Sequence, residues 1–401
     1  MIPLTATGTP HRITERLLGK IRPANDAGAP STVRMIPAWY DGIDLTGVTA
    51  VLCEQPIEPA RLARVSAPVV HGLSLSHLAE GDVVKLDPRG HVRTLYRRAS
   101  RHNSLFSTDR CSSLCLMCSQ PPIDIDDDWR IQEMQDTIAL IDPTTAELGI
   151  TGGEVTLLKD GFLAVIRAAK ARLPNTALHV LSNGRLFRYG SLAKQLGDIQ
   201  HPDLMIGVPV YSDLDDRHDH VVQAKGAFED TLIGLHNLAR HGVPVEIRVV
   251  VHSYTYDRLP QLAEFIYRNL TFASHVTFMG LEMMGYAIAN LDSLWIDPWD
   301  YQNQLETATL YLAERGMRVS VYNHQLCTVP DSIWPYCAKS ISDWKNEYLP
   351  QCEACAVRQE CGGFFASVVR RKHSSHIDPV QTREARIVFR TDGRSGQASQ
   401  P

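Results

Sequence analysis

The chain has 401 residues, 44 % of them hydrophobic and 21 % charged, the ordinary usage of a globular protein with one large domain and smaller appendages. A net charge of -5 supplies no overall basic field, so no nucleic-acid partner is implied. The first residues lack an apolar signal core and no apolar run approaches the length of a membrane span, which points to a cytoplasmic protein with no membrane partner.

Residues 1–34, rich in Pro, Ala, Gly and Thr around a basic amphipathic stretch from Arg12 to Arg22, read as a flexible arm. Short β-like runs dominate residues 35–100, and GDVVKLDPRGHVRTLY reads as a hairpin turning at Asp87-Pro88-Arg89-Gly90, so a small β-rich domain is expected there. Across residues 101–295 six apolar runs alternate with amphipathic stretches: SLFST, ELGIT, ALHVL, LMIGVPV, VEIRVVV and HVTFMG. Helical patterns follow nearly all of them, as in Asp160 to Arg172, Ala227 to Arg240 and Leu259 to Arg268. Repeated βα units imply an α/β fold with a parallel sheet, here a partial (β/α)6 barrel of the TIM type, whose chemistry gathers at the carboxyl ends of the strands. Residues 296–365 add a helix around Trp299 to Arg315, the strand RVSVYN and five more cysteines. Residues 366–401 are basic and poor in apolar periodicity, so disorder is expected beyond about Ser374.

Nine cysteines in a reducing compartment read as metal ligands or reactive thiols rather than disulfides. Cys111, Cys115 and Cys118 stand within eight residues, directly after the first barrel strand. Three thiolates suit an iron-sulfur cluster with one iron left open, since closed structural sites normally recruit four ligands. A zinc site or a redox C-x-x-C pair is the plainer alternative. Gly152-Gly153-Glu154 ends the second strand with a backbone stripped of side chains, permitting close approach of a ligand, and with a carboxylate able to accept from an ammonium group. Ser182-Asn183-Gly184 and Tyr211-Ser212-Asp213 follow later strands.

Together these residues resemble the radical S-adenosylmethionine (SAM) superfamily, whose motif is C-x3-C-x2-C on the loop after the first strand of a partial barrel; the resemblance covers roughly residues 103 to 290. It implies that Cys111, Cys115 and Cys118 bind a [4Fe-4S] cluster whose open iron is chelated by SAM, and that an electron from a donor protein cleaves SAM to a 5'-deoxyadenosyl radical. By the same resemblance Gly152, Gly153 and Glu154 receive the SAM amino group, Ser182 and Asn183 lie near the ribose, Ser212 contacts SAM, and Arg248 pairs with its carboxylate. Met117 stands where the family usually has an aromatic and would pack on adenine through its sulfur. The plainer readings are a turn for Ser182-Asn183-Gly184 and a structural carboxylate partner for Arg248. No catalytic side chain is assigned beyond the cluster and SAM.

Cys352, Cys355 and Cys361, spaced C-x2-C-x5-C, resemble the twitch and SPASM extensions that carry auxiliary [4Fe-4S] clusters. The full pattern has a further cysteine where this chain has Phe365, so one auxiliary cluster is expected, with Cys327 as the first choice for its fourth ligand and Cys337 as the second. A zinc knuckle is the alternative. The runs RHNSLFSTDRCSSLCLMCSQPP, ELGITGGEVTLL, LHVLSNGRLF, KSISDWKNEYLPQCEAC and CGGFF resemble the His-Xaa-Ser system radical SAM maturases, the HxsC subfamily. That resemblance implies a peptide or small protein substrate with His-Xaa-Ser repeats and a companion radical SAM maturase; the β-rich domain would recognise a leader segment or serve as scaffold. Two competing readings are a small-molecule radical SAM reaction like that on a molybdopterin precursor, and a non-enzymatic zinc-binding interaction protein.

Overall fold

A computed structural model describes residues 4–22, 31–40, 42–339, 346–369 and 371–381. These fall into two compact units, one drawn from Met1–Thr108, Ile125–Leu181 and Ile199–Leu204, the other from Asp109–Asp124, Ser182–Asp198 and Met205–Pro401.

The first unit opens with an eight-stranded sheet: β1 (Thr5–Thr7), β2 (Thr9–His11), β3 (Leu17–Ile21), β4 (Thr32–Ile36), β5 (Val48–Cys53), β6 (Val69–His71), β7 (Val83–Leu86) and β8 (His91–Tyr96), in the order β1-β8-β7-β3-β4-β5-β6-β2. β7 and β8 are the expected hairpin, antiparallel, its turn closed by Gly90 N–H donating to Asp87 O at 2.9 Å. The segment expected to be an arm instead supplies β1, β2 and β3, and its Ile13 and Ile21 are buried with Leu52, Leu86 and Val92. Strands of three residues are too short to display alternation, and β1 and β2 pair with the distant β8 and β6, so nothing local announces them.

The same unit continues into β9 (Asn103–Phe106), β10 (Glu147–Thr151) and β11 (Ala177–Leu181), with β10 parallel to both neighbours. The helices Trp129–Leu140 and Asp160–Arg172 provide the crossovers that parallel pairing requires. Trp129 carries the Arg16 guanidinium 3.9 Å from its ring centre, and Lys85 meets Glu133 at 2.5 Å. The leading sheet and the first βα units therefore share one body.

In the second unit, β12 (Leu204–Pro209, from its second residue), β13 (Val245–Val251), β14 (His275–Gly280), β15 (Val319–Tyr322) and β16 (Cys337–Ala338) are parallel neighbours in that order. Their runs are near-continuous in β-branched and apolar residues because both faces are covered: Ile247, Val249, Val276 and Phe278 are all fully buried. The helices Asp215–Val222, Ala227–Arg240, Leu259–Asn269 and Gln302–Glu314 alternate with them. The fold is thus α/β with parallel strands where the apolar runs placed them.

The tail departs from expectation. Ser374 and Ile377 are buried, and Ala356 N–H donates to Val380 O at 2.9 Å, so the chain is packed through Val380. Isolated anchors with no period leave no trace in the sequence pattern. The rest of the expected disorder, 382–401, lies outside the described residues. Among the described residues no helix is long and apolar enough to cross a membrane.

Candidate active site

The loop 109–124 belongs to the second unit, and its backbone is held from several sides. Leu114 and Leu116 N–H groups donate to the carbonyls of Val222 and Val221 at 3.1 and 2.9 Å, at the end of the helix Asp215–Val222. Asn290 Nδ2 donates to Leu116 O at 2.8 Å, and Tyr286 N–H to Cys118 O at 2.8 Å. Cys118 N–H closes a turn onto Cys115 O at 3.0 Å. Cys111, Cys115 and Cys118 are half-buried and in no disulfide, and Cys118 Sγ donates to Gln120 O at 3.0 Å. Met117 is buried with Tyr211, Val221, Ala287 and Leu294 and so anchors the loop.

Two residues that the sequence did not nominate define the surroundings of these thiols. Tyr211, directly after β12, is buried, and burial pushes its phenol well above the ordinary value; the charges of Cys115, Cys118 and Cys111 push the same way while Arg248 opposes them. All three sulfurs are therefore gathered within electrostatic reach of one hydroxyl. Arg185 donates through Nη1 to Ser112 O at 2.6 Å and through Nη2 to Asp230 Oδ2 at 3.3 Å, tying the loop to the helix Ala227–Arg240. Both lie inside motifs noted from the sequence, Ser182-Asn183-Gly184-Arg185 and Tyr211-Ser212-Asp213, but their reach is a tertiary fact.

The polar residues expected around SAM are present and engaged. Ser182 Oγ accepts from Gly184 N–H at 3.0 Å, and Asn183 donates to Ser112 Oγ at 2.9 Å while accepting from Arg185 N–H at 3.1 Å. Asn183 thus stands against the cysteine loop, its Nδ2 4.0 Å from Cys111 Sγ. Ser212 Oγ accepts from Leu214 N–H at 3.1 Å, and the neighbouring Asp213 is gripped by both arms of Arg258. Arg248 on β13 donates to Glu246 Oε2 at 2.7 Å and approaches Met279 Sδ at 3.0 Å, and Glu246 also meets His275 at 3.1 Å. The structural-carboxylate partner of Arg248 is what the fold displays.

Gly152, Gly153 and Glu154 lie in the first unit, at the end of β10. Gly152 has φ +146°, and a Cβ there would stand 2.7 Å from Ser107 Oγ and 2.8 Å from Thr108 O. Close approach by the chain after β9 already requires a glycine here. Gly153 N–H donates to Thr108 O at 2.6 Å. Glu154 is fully buried; its Oε1 accepts from Thr156 N–H at 3.1 Å and from the Thr156 hydroxyl, capping the short helix Val155–Leu158.

In the second unit, Cys327, Cys352, Cys355 and Cys361 line one cavity, roofed by Ile377 and Pro379 of the tail. Cys337, on β16, is not among its lining residues. Burial pushes the Cys327 thiol up to about 12, with Cys361 and Cys352 adding, while the Asp378 N–H bonds its sulfur and works against the rise. Cys361 accepts from Gly363 N–H at 3.5 Å, and Tyr348 donates to the Cys361 carbonyl at 2.8 Å. Among the described residues no three Cys, His, Asp or Glu groups converge as they would on a single ion. A cubane of four irons and four sulfides holds its thiolates further apart than one ion does, and four half-buried thiols with backbone N–H donors around a shared cavity are the donor set it takes. The residues fit such a group.

Residues 105–266 match the family model of the Radical SAM superfamily, a span that includes the cysteine loop, Gly152-Gly153-Glu154, Ser182-Asn183, Ser212 and Arg248. A comparison with curated proteins finds no match. Among solved structures, SuiB from Streptococcus suis bound to S-adenosylmethionine is 14 % identical over 64 % of this chain and 54 % of its own, with a TM-score of 0.43. Native anSMEcpe with bound AdoMet and Kp18Cys peptide is 15 % identical over 69 % and 93 %, TM-score 0.47. The methyltransferase TsrM from Kitasatospora setae is 15 % identical over 49 % and 46 %, TM-score 0.35. The chain spans about half the length of the SuiB structures it matches. At these values the solved structures add no weight to the family match.

Proposed function

We propose that this chain, whose residues 105–266 form a radical SAM domain, is a cytoplasmic maturase that modifies a peptide or small protein, its substrate being a His-Xaa-Ser repeat protein on which a companion radical SAM maturase also acts. The observation that carries the reading is the family match over a loop that holds three cysteines outside any disulfide within eight residues. Cys111, Cys115 and Cys118 would hold a [4Fe-4S] cluster, and Cys327, Cys352, Cys355 and Cys361 an auxiliary one. When bound, cluster and SAM supply reductive cleavage of SAM to methionine and a 5'-deoxyadenosyl radical able to take a hydrogen atom from substrate, with the electron coming from a donor protein.

The chain's own residues contribute placement. Arg185 and Asn183 fix the backbone and hydroxyl of Ser112 and so the position of Cys111 beside it. Val221, Val222, Tyr286 and Asn290 fix the remainder of the loop. Tyr211 is buried against the loop, and burial pushes its phenol well above the ordinary value. Glu154, Ser182, Ser212 and Arg248 are the polar groups assigned to SAM, with Gly152 and Gly153 shaping the strand end that carries Glu154.

The test is anaerobic. The chain is reconstituted with iron and sulfide, reduced, given SAM, and assayed for 5'-deoxyadenosine beside a Cys115→Ala control, with and without a His-Xaa-Ser repeat protein. Product in the intact chain alone, together with a mass change in the repeat protein, is the expected result. A cluster-loaded chain that makes no 5'-deoxyadenosine in either condition overturns the reading.

A further inference from the structure

Within the second unit a cavity opens at the carboxyl ends of β13, β14 and β15, where Val251, Gly280 and Asn323 line it. Gln325, Gly363 and Phe364 line both this cavity and the cysteine cavity beside it, so the two share a wall. On the outer side the lining comes from the tail: Lys372, His373 and Ser374.

The tail is held there by a short segment, Trp295-Ile296-Asp297-Pro298-Trp299. Lys372 Nζ sits 4.2 Å from the centre of the Trp295 ring. His376 stacks on Trp299 with ring centres 4.8 Å apart and planes 9° from parallel. Between the two indoles, Asp297 uses one carboxylate oxygen to accept from its own helix start, Trp299 N–H at 3.0 Å, and turns the other to the tail, accepting from Ser375 N–H at 3.2 Å with His376 Nδ1 at 3.8 Å. His373 meets the edge of Phe364 at 5.8 Å, and Ser374 Oγ accepts from His376 N–H at 3.0 Å. Two aromatic platforms flanking a nearly buried carboxylate form a clamp that reads a cation, an imidazole and a main-chain donor in sequence.

We infer that this clamp is the docking site for a His- and Ser-containing peptide segment, and that the chain's own Lys372–His376 fills it as an internal pseudosubstrate that an incoming peptide displaces. Tail and ligand chemistry coincide: His373-Ser374-Ser375 is itself a His-Xaa-Ser sequence, laid along a cavity at the mouth of the parallel strands. Which natural peptide displaces the tail rests on the function proposed above; the clamp itself rests on the contacts. A tethered competitor present at millimolar effective concentration lowers the apparent affinity of any free peptide for the same site.

The experiment uses the full chain, anaerobically reconstituted, and a fluorescein-labelled synthetic peptide with the sequence of residues 371–378, titrated by anisotropy beside a scrambled peptide. Lys372→Ala with His376→Ala loosens the tail and is expected to tighten peptide binding about tenfold, the size of losing one ring stack and one cation–ring contact. Trp299→Ala in that same background removes a platform and weakens binding about tenfold. Trp299 and His376 are both exposed, so neither change threatens folding. Equal binding in the wild-type and loosened chains, or binding indifferent to Trp299, overturns the inference. Independence from the proposed function is kept by a second readout. Peptide binding as expected without any 5'-deoxyadenosine formation removes the function and leaves the clamp, whereas turnover of a repeat protein by the loosened chain with a KM unmoved by adding Trp299→Ala removes the clamp and leaves the function.

Discussion

Gly152→Ala separates two reasons for a glycine at the end of β10. A Cβ at this position would stand 2.7 Å from Ser107 Oγ, 2.8 Å from Thr108 O and 3.0 Å from Thr108 N, at a φ of +146° that L residues rarely adopt. Two of those three atoms are main chain, and they are not free to retreat, because Thr108 O accepts from Gly153 N–H at 2.6 Å and Ser107 N–H donates to Thr151 O at 2.7 Å. Backbone strain of about 1–3 kcal/mol and overpacking of about 1–3 kcal/mol predict a loss of about 2–6 kcal/mol. At about 2 °C per kcal/mol, that lowers the unfolding midpoint of the reconstituted, SAM-free chain by about 4–12 °C, followed by circular dichroism. Adding Ser107→Ala removes only the hydroxyl and is expected to restore less than half of the loss. A variant whose SAM-free midpoint equals that of the wild type while SAM binding disappears would refute the steric account and return the glycine to a ligand role.

Three further outcomes are expected. Arg185→Ala removes a charge-assisted bond to Ser112 O worth about 1.5–3 kcal/mol, so iron occupancy of the Cys111, Cys115 and Cys118 site falls, read in a background whose auxiliary cysteines are replaced; Arg185→Lys does not restore it, because an ammonium cannot bridge Ser112 and Asp230 as the guanidinium fork does. Cys327→Ser loses the iron of the auxiliary cluster while Cys337→Ser keeps it, measured as iron per chain; equal losses would place the fourth ligand elsewhere. Burial lowers His218 to about 4 and His252 to about 3, and each uses its Nδ1 to accept a main-chain N–H, from Tyr211 and Tyr254 respectively. Between pH 6.5 and 4 the unfolded chain takes up these protons and the folded chain does not, so stability falls with pH through that window, by about 2 kcal/mol per histidine at pH 5; His218→Gln should flatten the urea midpoint against pH, and an unchanged slope would sink the assignment.

The parallel strands were legible because both of their faces are buried, which writes each as a run such as VEIRVVV, and because helices long enough to show a period separate them. The cysteine loop was legible for a different reason: three ligands in eight residues form a local code. What holds that loop in place was not. Asn290 reaches Leu116 across 174 residues, and Arg185 reaches Ser112 across 73, so neither contact has any local pattern. The first two strands were hidden by their length of three residues, and Met117 reads either way, since a methionine suits a ligand face and a core equally well and here it packs with Tyr211, Ala287 and Leu294.

The polar residues assigned to SAM show why the turn reading and the ligand reading do not compete. Ser182 and Ser212 each accept one main-chain N–H, from Gly184 and Leu214. The turn bond fixes the rotamer of each hydroxyl, and Ser212 Oγ also donates to Asp213 Oδ1 at 3.4 Å. Arg248 follows the same logic, since Glu246 and Met279 engage two of its nitrogens while a guanidinium carries five N–H donors. Side chains already locked by the fold lose little further freedom when a ligand arrives, which is the preorganisation an active site needs. Under the proposed function, Arg248→Lys, which keeps the charge but cannot hold Glu246 and a carboxylate in one plane, should weaken SAM binding while leaving the strand intact.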